Sequence, residues 1–213
     1  MMTIPLAQIC HDPEYNQAVC NSLKEGWPYT QTQYTASPSF LLDVKADATR
    51  SASSPSCFVD PIAQNQSCDP FTSRTSICQR ENEPVYAVNA SAPDHIVVAL
   101  KFARLKNFRV VVKSTGHDLL EKSSGLGSLS IWVHSLKDTS FTKTYSGAND
   151  FANYSGPAAR LGSGVMVYEV LEASMKEGLK VLGGACPTVA VGGGYTSGGG
   201  PSILSSIMSF SGK

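Results

Sequence analysis

Eight glycines fall within the eighteen residues from Gly183 to Gly200, and no ordinary helix or strand tolerates that density. Glycine loses the most backbone freedom on folding, so it is retained where a turn needs it or where a ligand lies against bare backbone amides. Here the glycines alternate with Val189, Val191 and Tyr195. That pattern favours a ligand cradle over a flexible linker. The segment carries no Gly-x-Gly-x-x-Gly and no Gly-x-x-x-x-Gly-Lys-Ser/Thr, which argues against a nicotinamide dehydrogenase or a P-loop nucleotidase.

A second constraint comes from the segment Val85 to Lys113. Val85 to Val88 reads as a strand. Ser91-Ala92-Pro93-Asp94 supplies a capping hydroxyl, an early proline and an acid for a helix start. Ile96, Ala99, Leu100 and Ala103 then recur at helical spacing, Arg104 and Lys106 close the helix, and Val110 to Lys113 forms a buried strand. The order predicts a βαβ unit, whose strand C-termini form a ligand-binding edge. Ser114-Thr115-Gly116-His117-Asp118 follows that edge. Further strands are expected over Leu129 to Val133, Ala158 to Leu161 and Lys180 to Leu182, with a helix bearing Val167, Val170, Leu171, Ser174 and Met175 and ending at Gly178.

The first 80 residues are rich in Ser, Thr, Pro, Asn and Gln and lack periodicity, so they read as an irregular, disulfide-pinned segment. Cys10 with Cys20 and Cys68 with Cys78 are spaced as short loops, although spacing alone does not fix the pairing. The acceptor triplets at Asn65, Asn89 and Asn153, with five cysteines among the first 78 residues, point to an oxidising compartment and a secreted protein. No signal peptide is evident after Met1.

Seventeen basic residues balance seventeen acidic ones, which argues against nucleic acid or anionic membrane as partner. The apolar runs are far shorter than the roughly 20 residues a bilayer requires. Four histidines (His11, His95, His117 and His134) show no metal-ligand spacing, so no metal site is expected. His95 reads as a surface side chain, and His11 and His134 carry no assignment. His117 at the binding edge is equally a buried hydrogen-bonding histidine or a nucleophilic imidazole, and Cys186 reads alone as a small buried hydrophobe.

The ordered set Lys113-Ser114-Thr115-Gly116-His117-Asp118, Ser124-Gly125-Leu126-Gly127-Ser128-Leu129-Ser130-Ile131-Trp132 and Gly184-Ala185-Cys186-Pro187-Thr188-Val189 resembles fungal FAD-linked oxidases of the berberine bridge enzyme-like group. These belong to the vanillyl-alcohol oxidase superfamily. Pro5 to Pro13 and Asn65 to Phe71 extend the likeness over nearly the whole chain. The resemblance implies an α+β, PCMH-type FAD-binding domain over residues 81–213, with a small parallel βαβ subdomain and an antiparallel subdomain. It is expected to be incomplete at the C-terminus and to lack a substrate domain.

The same resemblance implies bicovalent FAD, with His117 on the flavin 8α carbon and Cys186 on C6; five cysteines then remain, which leaves Cys57 either free or paired outside the chain. Lys113, Ser114, Thr115, Gly116 and Asp118 would wrap the pyrophosphate through backbone amides. Ser123, Ser124, Gly125, Gly127 and Ser128, with Thr188, Val189, Gly192, Gly193, Gly194, Gly198 and Gly199, would lie along the rest of the cofactor. The implied reaction moves hydride from an alcohol, sugar or secondary-metabolite C–H to FAD, with dioxygen as acceptor and a small-molecule substrate on a monomeric enzyme. The catalytic base would lie outside this chain, leaving the chain inactive by itself. The other reading is a non-catalytic secreted binding module or remnant.

Overall fold

A computed structural model of the protein describes residues 3–27, 29–35, 68, 70–79, 83–118, 122–147 and 154–208. Cys57, Asn65 and Asn153 lie outside the described residues. The chain forms two compact units, Met1–Ser135 and Leu136–Lys213.

The first unit opens with a 3-10 turn, Leu6–Cys10, and helix α1, Gln17–Gly26, whose start is capped by Asn16 accepting from the Val19 N–H. The short helix α2, Thr30–Tyr34, follows. Disulfides Cys10–Cys20 and Cys68–Cys78 join the pairs that the ten-residue spacings suggested. Ala7, Leu23 and Trp27 pack with Cys10, Cys20 and Cys68 into a small apolar cluster. In a polar segment of this kind, cross-links stand in for a larger core. Outside the cluster, Arg74 bridges Asp12 and lies over the Tyr15 ring.

Strand β1 (Tyr86–Asn89), helix α3 (Pro93–Lys106) and strand β2 (Val110–Lys113) follow the expected order. Ala92, not Ser91, is the N-cap of α3, and it has no side-chain cap bond; Ser91 instead meets His95 Nδ1 at 3.4 Å. Asn107 ends the helix in the left-handed region, where a short polar side chain is tolerated. The strands β1 and β2 are not neighbours. Strand β3, Leu129–Trp132, lies between them, parallel to both, in the order β1-β3-β2.

Register puts Tyr86, Val88, Leu129, Ile131, Val110 and Val112 on one face of this sheet, and Ala87, Ser130, Trp132, Val111 and Lys113 on the other. Helix α3 buries Ala99 and Ala103, whereas Val98, Phe102 and Leu105 are exposed. An apolar cavity of about 410 Å³ is lined by Tyr86, Val88, Phe102, Phe108 and Leu129.

The second unit pairs β4 (Thr139–Ser146) with β5 (Ser155–Leu161) antiparallel, with an irregularity between Thr142 and Tyr145. Helix α4, Val167–Lys176, buries Val167, Val170 and Ser174. Its N-terminus is closed by Glu169, which accepts from the Met166 N–H and from Lys137 Nζ, each at 2.7 Å. Gly178 follows with φ +67°, the left-handed stop the sequence predicts. Lys180 to Leu182 is not a strand, because no described segment pairs with it. A short helix, α5 (Ser205–Met208), comes last.

Candidate functional site

The residues after β2 sit on the C-terminal edge of the parallel sheet. The Val133 N–H extends the ladder by donating to the Lys113 carbonyl at 2.8 Å, and the Trp132 indole donates to the Ser114 carbonyl at 3.1 Å. Gly116 has φ +90°, so only glycine fits the turn that presents His117. The Asp118 carboxylate accepts from the Ser123 N–H at 2.8 Å and closes the loop on itself.

Lys113 is one of the most deeply buried side chains. Burial lowers its pKa from 10.5 to about 7, with the negative charge of Glu83 acting in the opposite direction. Burial also lowers the His117 pKa from 6.5 to about 4. At neutral pH the His117 imidazole is therefore uncharged and keeps a nucleophilic nitrogen lone pair.

Through Ser123 the loop runs on from this cluster to Gly125, Gly127 and Ser128. They lead into β3 at its N-terminal end, where Leu129 N–H donates to the Arg109 carbonyl. A four-residue strand separates them from Ser114 along β2, roughly 13 Å at 3.3 Å per residue. The residues from Ser114 to Ser128 thus span a length that suits an elongated ligand. Two features of this loop suit a polar, anionic ligand. The buried Ser123 Oγ has no hydrogen-bond partner among the described residues, and the Arg109 guanidinium lies against Gly125, where a Cβ would meet Nη2 at 1.8 Å. Arg109 is absent from the sequence-derived set. Its only signal there is a cation placed just before a buried strand.

In the second unit the glycine segment forms a π-helical turn, Val191–Tyr195, a geometry often found at functional sites. The preceding loop caps α4, with the carbonyls of Pro187 and Val189 accepting from the N–H groups of Tyr168 and Val167. Thr188 is buried, and its Oγ1 lies 3.8 Å from Cys186 Sγ. Cys186 is disulfide-bonded in this structure, so its sulfur is not a free thiol.

Several glycines of the segment have packing reasons. A Cβ on Gly184 or Gly200 would strike the buried Tyr195 ring, at 3.3 and 2.2 Å, and one on Gly198 would meet the Gly194 carbonyl at 2.7 Å. A Cβ on Gly192 would crowd the Ser163 backbone. Gly199 requires its positive φ of +66°. Gly193 is different, since it faces open space and has no such backbone need; it is the position where a ligand could approach bare backbone. Burial raises the pKa of the Tyr195 hydroxyl. Among the described residues no group of three His, Cys, Asp or Glu side chains could hold a metal ion.

A parallel sheet with a polar, glycine-turned loop at its carboxyl edge, followed by an antiparallel pair and a glycine-rich turn, defines an α+β cofactor-binding domain of the PCMH flavoprotein type. No protein-family model matches the chain. Individual proteins do. The VAO-type flavoprotein oxidase VAO615 of Thermothelomyces thermophilus is 40% identical over 207 residues, covering 96% of this chain and 32% of that protein. FAD-linked oxidoreductase patO of Penicillium expansum is 41% identical over 204 residues, with 96% and 32% covered. The crystal structure of VAO-type flavoprotein MtVAO615 from Myceliophthora thermophila C1 superposes with a TM-score of 0.83 at 39% identity, over 99% of this chain and 35% of that one. The chain is homologous to the VAO-type, FAD-linked oxidoreductases and spans about a third of their length.

Proposed function

We propose that the chain contributes the flavin-binding part of an FAD-dependent oxidase. The complete enzyme would take hydride from an alcohol, sugar or secondary-metabolite C–H, with dioxygen as the acceptor. The observation that carries this reading is an uncharged, half-buried His117 presented by Gly116 on the binding edge of a parallel sheet. Within the first unit, the orphan Ser123 hydroxyl and the Arg109 cation fit a long anionic ligand.

When bound, FAD supplies the hydride acceptor; the protein supplies binding, orientation and electrostatics. Ser114 to Asp118 and Ser123 to Ser128 would hold the dinucleotide, and the glycine turn from Gly192 to Gly199 would offer backbone amides. His117 would bond to the 8α carbon. Forming that bond would release one proton from the imidazole nitrogen and one proton with an electron pair from the methyl carbon, and dioxygen would take up both protons and the pair as hydrogen peroxide. The protein is proposed to act as a secreted monomer on a small molecule.

Cys186 is proposed to bond flavin C6 in the same enzyme, with the same balance of hydrogens and electrons. Its disulfide favours a second reading, attachment through His117 alone, because a sulfur already bonded to sulfur cannot also bond carbon. Acid precipitation followed by non-reducing peptide mapping separates the two. Flavin mass on both the His117 and Cys186 peptides supports the double bond, and flavin on His117 with Cys186 in a disulfide supports the single one. Complete release of colour into the acid supernatant with both residues intact would sink the covalent claim.

A further inference from the structure

Strand β3 ends at Trp132, which faces Lys113 of β2 in register. Its indole N–H reaches past the ladder to the carbonyl of Ser114, the first residue of the loop that carries His117. The ring is not free to turn away from this bond. His134 stacks on it with centroids 5.7 Å apart and planes 12° apart, and Tyr34 of α2 closes on His134 at 5.2 Å and 44°. The three aromatic rings form a brace that runs from α2 across the end of β3 to the loop.

We propose that Trp132, held by His134, is a positioning residue that fixes the His117 loop for attachment to the flavin. The inference rests on the His117 reading given above. An imidazole nitrogen must meet the reacting carbon within a narrow range of distance and angle, and small misplacement slows such a step severely. Gly116 has no side chain to steady the turn, so the carbonyl two residues before it is the natural place for an external anchor. Neither Trp132 nor His134 touches the reacting atoms in this scheme; both act through the loop backbone.

The test compares Trp132→Phe, His134→Ala, His134→Phe and the Trp132→Phe/His134→Ala double variant with the wild-type protein. Two readouts are taken: amide hydrogen exchange over Thr115 to Asp118 in flavin-free protein, and the rate at which the His117 peptide gains flavin mass at saturating FAD. Loss of one side-chain hydrogen bond should speed exchange and slow attachment in Trp132→Phe by about fivefold each. His134→Ala should shift both in the same direction, and His134→Phe, which keeps a stacking ring, should restore them. The double variant should be no worse than Trp132→Phe, because both changes remove one shared bond.

Unchanged exchange across Thr115 to Asp118 in Trp132→Phe overturns the positioning role whether or not flavin attaches. A clear effect on exchange with no flavin on wild-type His117 instead overturns the attachment reading, and with it the purpose assigned to the brace. Additive losses in the double variant overturn the coupling between His134 and Trp132.

Discussion

Replacing His117 with Phe should flatten the acid limb of the first unit's stability profile. The imidazole titrates near 4 when folded and near 6.5 in an unfolded chain, and its pKa is lowered by burial alone. Between those values the unfolded chain binds a proton that the folded one does not. Stability therefore falls as pH drops from 6.5 to 4, and the loss is complete below 4. The size follows from the two pKa values: about 2 kcal/mol is lost between pH 7 and pH 5, and about 3 kcal/mol once both states are protonated. Both tryptophans, Trp27 and Trp132, lie in the first unit, so urea unfolding followed by their fluorescence reports on that unit. Carboxylates titrate in both proteins and cancel in the difference between wild type and variant. A wild-type curve that runs parallel to the His117→Phe curve from pH 7 to 4.5 would refute the burial argument, and with it the uncharged nucleophile.

Lys113→Met should remove a pH dependence of opposite range: the depressed ammonium makes the wild type gain stability as pH rises from about 7 to 10.5, and urea titrations over that window should show no such gain in the variant. Gly200→Ala should destabilise the second unit by about 1–3 kcal/mol, since the new methyl group overlaps the Tyr195 ring; thermal unfolding by circular dichroism checks it. Glu169→Gln should cost about 1–2 kcal/mol by weakening both the Lys137 pair and the closure of α4, and Lys137→Met in the Glu169→Gln background should add about 1 kcal/mol for the bond from Lys137 Nζ to the Gly164 carbonyl; urea unfolding of the single and double variants checks both. Expression through a secretory pathway should place glycan on exposed Asn89, read as an enzyme-sensitive mass shift of its peptide.

The elements that were legible in the sequence are those with one buried side. Strands β1, β2 and β3 and helices α3 and α4 have apolar residues at the spacing their geometry demands. Strand β4 was not legible: Thr139 to Ser146 is polar and mostly exposed on both sides, so no alternation marks it. Lys180 to Leu182 reads as a strand for the converse reason, its Val181 and Leu182 being apolar although no described segment pairs with them. The loop around His117 could be read because its residues are consecutive and follow a strand. Position along β2 could not be read in the same way, and the two glycine-serine groups fall at opposite ends of it. Arg109 and Trp132 meet these loops through space, across a parallel register that no spacing in the chain discloses. The glycine segment was legible as unusual. Its division between glycines that make room for Tyr195 and one that opens outward needed the fold.

The insertion of β3 between β1 and β2 also governs when the site can come into being. Synthesis delivers β1, α3 and β2 first, yet those two strands share no hydrogen bonds and gain none until residues 129–132 arrive. Parallel pairing of this kind is non-local and slow, because loop-closure entropy is paid before any contact rewards it. A nascent chain halted before Ser128 would hold α3 and the disulfide-pinned segment but no sheet. Its His117 loop would lack both the ladder bond from Val133 and the indole bond from Trp132. On the proposed reading, flavin capture would belong to the end of this unit's folding, after the last strand to be made has taken the central place.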